Sequence, residues 1–297
     1  MRPVLLTLVI AVLAPLAVFA QVPGVEHVVV IGIDGLAPFG VEAADTPVLD
    51  ALMQRGAHTM HARAVMPTSS SSNWASMIMG AGPEQHGVTS NDWQPDKYDI
   101  APIAKGPGGI FPTIFSVLRE QKPEAHTAVL HHWKDFGRLF ERDAVNYISN
   151  PKTEDVAAQR ACEYITEHKP TFLFVHLDHV DHAGHEKGWR TPEYTAAVVK
   201  ADALIGQMLD AIKKAGIEDK TIVLVTSDHG GKNKGHGGNT MDEIEIPWII
   251  AGPSVAVGKE ITVPLDMCQT AATIAHIFGL KQPSVWIARP VLEAFQP

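Results

Sequence analysis

Three stretches of this 297-residue chain are unbroken apolar runs rich in β-branched residues: His27–Ile33, Thr171–Leu177 and Thr221–Thr226. None alternates polar with apolar, so each is expected to be a strand buried on both faces, as in a parallel sheet covered by helices. Each run ends at an acid. Asp34-Gly35 follows the first, Asp178-His179-Val180-Asp181-His182-Ala183-Gly184-His185 the second, and Ser227-Asp228-His229-Gly230-Gly231 the third. In open α/β sheets, ligands bind outside the carboxyl ends of the strands. A single Asp there is as easily a turn or cap residue, but three such strands with histidine added at two of them point to a metal centre.

Helical signals separate the runs. Thr46 with Pro47 opens a helix closed by Gly56, and Thr153–His168 has helical periodicity. Pro192–Ala215 carries an apolar stripe through Val198, Ala201, Leu204, Ile205, Met208, Leu209 and Ile212, then stops at Gly216. Further helices are expected at Pro112–Glu120 and at Met267–Phe278, the latter capped by Asp266, and further strands at Ala57–Met66 and His126–His131. The chain is therefore α/β.

The remaining composition sets bounds. Arg2 and the apolar run Val4–Ala20, ending in Val18-Phe19-Ala20, read as a secretory signal at residues 1–20, since the run is short for a membrane span. Export to the periplasm or the exterior follows. Residues 21–297 suffice for one large domain, and no linker, repeat or charge block divides them. The net charge of −9 with no basic cluster excludes a nucleic-acid polymer held by its phosphates. Cys162 and Cys268 are too few for a disulfide framework; pairing and two buried thiols are equally open.

The candidate nucleophile lies in Pro67-Thr68-Ser69-Ser70-Ser71-Ser72-Asn73, ahead of a short helix expected at Trp74–Met79 and closed by Gly80. A hydroxyl at a helix N-terminus faces unpaired N–H groups that favour negative charge. It can equally be a plain N-cap. A serine with no ordinary base beside it needs a metal to become an alkoxide, and the acid/histidine clusters supply candidate ligands. Asp178/His182 and Asp181/His185 are each four apart, so one helical turn would bring either pair onto one ion. His236 stands alone in a Gly/Lys loop. Asn91 is able to donate its amide to a phosphate oxygen. His131-His132-Trp133-Lys134 reads as solvent-facing, with Lys134 a weak candidate for substrate charge. Trp74 and Trp93 are candidates to stack on a leaving group, although packing is the commoner role.

Taken together, Asp34, the Pro67-Thr68-x-Ser70 segment with Asn73, His86-Gly87-Val88-x-x-Asn91, Asp181-x-x-Gly184-His185, Ser227-Asp228-His229-Gly230 and His236 resemble the alkaline phosphatase superfamily, and within it the type I phosphodiesterase/nucleotide pyrophosphatase branch. The pieces occur in the family's order across nearly the whole of 21–297. The resemblance implies a three-layer α/β/α sandwich around a mostly parallel sheet. It implies two divalent ions, zinc by ligand type, one held by Asp34, Asp228, His229 and the Ser70 oxygen, the other by Asp181, His185 and His236. Only Asp181/His185 has the family's glycine before the histidine. Two ions roughly 4 Å apart stabilise both attacking and leaving oxygens of an in-line displacement. Ser70 would attack phosphorus, and Asn91 with the Ser70 N–H would steady the non-bridging oxygens.

Departures accompany the match. The branch usually has threonine as nucleophile, preceded by lysine and followed by Phe-Pro; here four serines follow one another, with Ser69 the fallback nucleophile. Only six residues separate His229 from His236, which leaves little material for a cap over a nucleoside. The implied activity is therefore hydrolysis of a small phosphate ester, with a diester or pyrophosphate first and a monoester second. A sulfatase lacks support because Ser70-Ser71-Ser72-Asn73-Trp74 has neither the Pro nor the Arg of the C/S-x-P-x-R segment. A non-catalytic metal-binding protein is the remaining class.

Overall fold

The computed structural model describes residues 21–296; the expected signal segment at 1–20 lies outside them. A sheet of eight strands crosses the molecule: β1 (His27–Ile33), β2 (Ala57–Arg63), β3 (Thr127–His131), β4 (Tyr147–Ser149), β5 (Phe172–Leu177), β6 (Thr221–Thr226), β7 (Glu245–Ala251) and β8 (Lys259–Glu260). Their spatial order is β4-β3-β5-β1-β6-β7-β2-β8. From β4 to β6 every pairing is parallel, whereas β7 runs antiparallel to both β6 and β2. The sheet is thus mostly parallel, as expected.

The three apolar runs are the adjacent strands β5, β1 and β6, with every residue buried. Alternate side chains serve two cores. Val28 and Val30 join Trp74, Ile114 and Ile274, while Val29, Ile31 and Ile33 join Leu49, Ile165 and Ile205. Helices Ser70–Met79, Ile114–Gln121 and Gln269–Ile277 therefore cover one face, and Pro47–Arg55, Glu154–His168 and Pro192–Lys214 the other. Burial on both faces is what removes polar alternation from these strands.

Register aligns the strand ends. Gly32 of β1 pairs with Thr226 of β6, Ile33 pairs with Leu177 of β5, and the Asp34 N–H donates to the Leu177 carbonyl at 2.8 Å. Asp34, Asp178 and Asp228 consequently leave the sheet along one edge.

Four local expectations need correction. The serine-bearing helix starts at Ser70 instead of Trp74, and all ten of its residues are buried. Tertiary burial there overrides the weak helix propensity of serine. The strand expected to run to Met66 stops at Arg63. The C-terminal helix begins at Gln269, because Asp266 accepts from the Cys268 N–H at 2.9 Å and so stabilises the turn before it. His131 is buried instead of solvent-facing, in register with His176 of β5. The thiols of Cys162 and Cys268 are both free.

Candidate metal centre

Asp34, Asp228 and His229 form a fully buried group at the ends of β1 and β6. The three ligand atoms lie within 4.8 Å of one another. One oxygen of Asp34, Oδ2, accepts from Trp74 Nε1 at 3.0 Å and lies 3.1 Å from His176 Nε2. Its other oxygen, Oδ1, has no hydrogen-bond partner. Asp228 divides in the same way: Oδ1 accepts from the Gly35 N–H at 3.2 Å and Oδ2 is orphaned. Gly32 permits the approach of Trp74, since a Cβ there would sit 2.6 Å from the indole. Trp74 is thus buried and committed to Asp34, and Trp93 is buried as well. Neither is placed to stack on a leaving group.

Asp181, His185 and His236 form a second group, with ligand atoms again within 4.8 Å. Asp181 and His185 lie one turn apart on the helix His179–Lys187, and Asp181 Oδ1 is also orphaned. His236 reaches in from the glycine-rich loop and stacks on His229, with ring centroids 3.7 Å apart. The two groups are therefore contiguous.

The histidine tautomers carry the chemical reading. His229 Nδ1 lies 2.8 Å from the Gly230 carbonyl, His236 Nδ1 2.7 Å from that of Thr68, and His185 Nδ1 3.0 Å from that of Lys234. A carbonyl only accepts, so each Nδ1 carries the proton and each Nε2 presents a lone pair. Those lone pairs face carboxylate oxygens: His229 Nε2 is 3.2 Å from Asp228 and 3.4 Å from Asp34, and His185 Nε2 is 3.4 Å from Asp181. Two acceptors facing one another in this way need either a proton or a cation shared between them. Metal-bound histidines characteristically donate their other nitrogen in this way. Together with three orphaned carboxylate oxygens, the donor set fits two divalent cations of the zinc type.

Electrostatics agree. Burial pushes the carboxyl groups of Asp181 and Asp228 well above the usual carboxylate range, and the neighbouring Asp34 charge adds to it. Burial would also raise Asp34, but the hydrogen bonds from His176 and Trp74 help hold that carboxyl below its ordinary range. Burial lowers His229 to about 3 and also lowers His236, which keeps both rings neutral as ligands require.

Asp34, His176 and Asp178 also lie close enough to suggest an ion. The tautomer argues otherwise. His176 Nδ1 accepts from the Trp133 N–H at 3.4 Å, so Nε2 carries the proton and donates to Asp34. His176 orients Asp34 and holds no metal. The alternative pair, Asp178/His182, makes a 3.0 Å contact, but the His182 side chain is 62% exposed.

The four serines have separate partners. Ser70 Oγ lies 3.3 Å from His229 Nε2, Ser71 Oγ accepts from Arg138 Nη2 at 3.2 Å, and Ser69 and Ser72 contact each other at 3.3 Å. No side-chain cap bond is made by Ser69. Asn73 pins the entering chain: its Oδ1 accepts from Val65 N–H, and its Nδ2 donates to the carbonyls of Pro67 and Ser69. Asn91 Oδ1 accepts from the Ser71 N–H at 2.8 Å, which leaves its amide N–H groups available. Arg138 also donates to the Asn91 carbonyl and pairs with Asp135 at 3.4 Å. Lys134 is exposed. The cation beside the serine is Arg138, which sequence reasoning missed because it sits among short 3-10 turns without periodicity.

A family model described as type I phosphodiesterase / nucleotide pyrophosphatase matches residues 28–108 and 109–243. Ectonucleotide pyrophosphatase/phosphodiesterase family member 1 of Mus musculus is 26% identical over 196 residues, covering 62% of this chain and 21% of that protein. A Schizosaccharomyces pombe protein described as an uncharacterized pyrophosphatase/phosphodiesterase is 24% identical over 215 residues, 68% of this chain and 44% of that one. This chain thus spans only about a fifth to under half of these relatives' length. Murine ectonucleotide pyrophosphatase/phosphodiesterase 5, an inactive variant in complex with AMP, superposes with a TM-score of 0.75 at 14% identity, covering 91% of this chain and 100% of that chain. At that identity the likeness is one of fold, the alkaline phosphatase-like sandwich. The family match begins inside β1, ends just before β7 and takes in both acid/histidine groups; the chain belongs to the type I phosphodiesterase/nucleotide pyrophosphatase family.

Proposed function

We propose that residues 21–297 form one catalytic domain, exported by way of the 1–20 segment, that hydrolyses phosphodiester or pyrophosphate bonds through a phospho-serine at Ser70. The observation that carries the reading is the 3.3 Å approach of Ser70 Oγ to His229 Nε2, beside the orphaned oxygens of Asp34 and Asp228. Ser69 and Ser71 are engaged elsewhere.

Asp34, Asp228, His229 and the Ser70 oxygen would hold one cation, and Asp181, His185 and His236 the other. When bound, two zinc-type ions acidify the attacking hydroxyl and offset negative charge on the attacking and leaving oxygens. Ser70 Oγ gives its proton to solvent and bonds to phosphorus, while the bond to the leaving oxygen breaks on the opposite side. The leaving oxygen takes up a proton from solvent, and water then cleaves the phosphoryl ester on Ser70, releasing the remaining phosphate monoester and restoring the hydroxyl. The Asn91 amide donates to a non-bridging oxygen, since its carbonyl is already taken by Ser71. The unpaired Ser70 N–H at the first turn of its helix donates to another. The relative solved with AMP makes a nucleotide-sized ester the substrate class of choice.

Arg138 supports a second reading, monoester hydrolysis. Its guanidinium, with a side chain only 13% exposed, lies one residue from the nucleophile, where a dianion gains more than a monoanion. The test is turnover of zinc-loaded mature protein on bis-p-nitrophenyl phosphate and p-nitrophenyl phosphate, with Ser70→Ala alongside. Faster diester cleavage supports the primary reading, and faster monoester cleavage the second. Ser70→Ala is expected to lose about a thousand-fold in kcat while keeping its metal. Unchanged turnover in that variant would remove Ser70 from the mechanism, and no turnover of either ester by the metal-loaded wild type would leave a binding protein.

A further inference from the structure

Trp189 has no role in the reading above, yet it touches every segment that carries a candidate acid or histidine ligand. It follows the Asp181/His185 helix directly and is buried. Its Nε1–H donates to the Gly35 carbonyl at 3.1 Å, next to Asp34. The ring lies against Gly184, next to His185, and against Gly231, two residues past His229. A Cβ would come within 2.5 Å of the ring at Gly184 and 2.1 Å at Gly231. Its edge meets His185 with centroids 5.3 Å apart and His236 at 6.2 Å. Its own N–H donates to the Asn233 carbonyl at 2.8 Å, in the loop that delivers His236. Tyr194 adds a second donor to the Gly35 carbonyl at 2.8 Å and accepts from the Ala37 N–H at 3.0 Å.

We propose that Trp189 is a positioning residue that sets the second cation group against the first. The inference rests on the two-cation reading. The first group needs little such help, because the backbone ladder of β1 and β6 already places Asp34 and Asp228. The second group is assembled from a helix and a loop, and the indole is packed against both. Loss of the indole therefore weakens the Asp181/His185/His236 site selectively. This also explains why glycine is required before His185: any side chain at 184 would displace the indole.

The experiment is zinc titration against a chromogenic chelator, with bound metal counted, on wild type, Trp189→Phe, Trp189→Ala and Tyr194→Phe. Wild type is expected to take two ions. Trp189→Phe, which keeps a ring but drops the N–H, and Trp189→Ala are expected to weaken one ion by about ten- to a hundred-fold, the usual range for a residue supporting a ligand. The other ion stays close to wild type, and Tyr194→Phe, remote from His236, spares the weakened site. A general structural defect would lower both ions together. Equal weakening of both, or no change in Trp189→Phe, overturns the inference. A wild type that takes fewer than two ions overturns the two-cation reading beneath it instead.

Discussion

The two acid/histidine groups touch, yet they are built on different principles. Asp34 and Asp228 leave neighbouring parallel strands in the middle of the sheet, so main-chain hydrogen bonds decide their separation. Asp181 and His185 depend on one turn of helix, and His236 hangs from a loop by its bond to the Thr68 carbonyl. The first group is sealed from solvent, while the His185 side chain is 44% exposed. A buried, backbone-fixed site suits tight retention of an ion. A half-open one suits exchange and contact with water or product. On the two-cation reading proposed above, the pair would divide holding from turnover within a single centre.

The sharpest way to break this comparison is to remove one ligand from each half. Asp228→Asn is expected to lose bound zinc and cut turnover by about a thousand-fold or more, while His236→Ala loses a single ion and falls by about a hundred-fold. Metal counting and kcat/KM on the same preparations check it. Equal loss of metal in both variants would show that the halves are not separable.

The next effect lies in the pH dependence of chelator-stripped protein. Asp181 and Asp228 have folded-state pKa values raised above their unfolded ones, by burial and then by Asp34. Their contribution is therefore complete below about pH 4, the unfolded value, and is lost as pH rises through the folded pKa. Buried histidines act oppositely. Burial lowers His229 and His86 to about 3, and His131 and His179 to about 4. Each contributes fully above about pH 6.5 and loses about 1.4 kcal/mol per pH unit as pH falls from there towards its folded value. Urea melts of stripped protein should thus show stability falling towards both extremes, with added zinc restoring the alkaline side only. An alkaline limb indifferent to zinc would show that the carboxylates are not its cause.

The smallest effect is expected at the pair that matches the second group in spacing alone. His182→Ala removes an exposed side chain bonded to Asp178. Metal content should be unchanged and stability should move by no more than about 0.5 kcal/mol. Loss of an ion in this variant would transfer the second site to Asp178/His182.

Much of the backbone-fixed half was legible in the sequence. Unbroken β-branched runs ending in Asp34 and Asp228 state both the strand and the edge of the sheet. The half built from helix and loop was less so. Spacing offered Asp178/His182 and Asp181/His185 as equals, and only family resemblance favoured the second; the physical discriminator, the contact of Trp189 with Gly184, is invisible in one dimension. His176 was hidden inside a buried strand, although a histidine in such a strand must find a partner, and that partner is Asp34. Arg138 was missed for want of periodicity, and the serine helix was begun four residues late because local propensity says nothing about a helix enclosed on all sides.

That enclosure has a kinetic meaning. Every residue from Ser70 to Met79 is buried, and the entering chain is tied by Asn73 at three points. Local fluctuations rarely expose so buried a segment, so past the first turn its amides are expected to trade hydrogen with solvent slowly, which native-state hydrogen exchange would check. Ser70, the nucleophile proposed above, would thus ride on a slow-opening unit of the protein, with the motions that admit substrate and release product left to the segments around it.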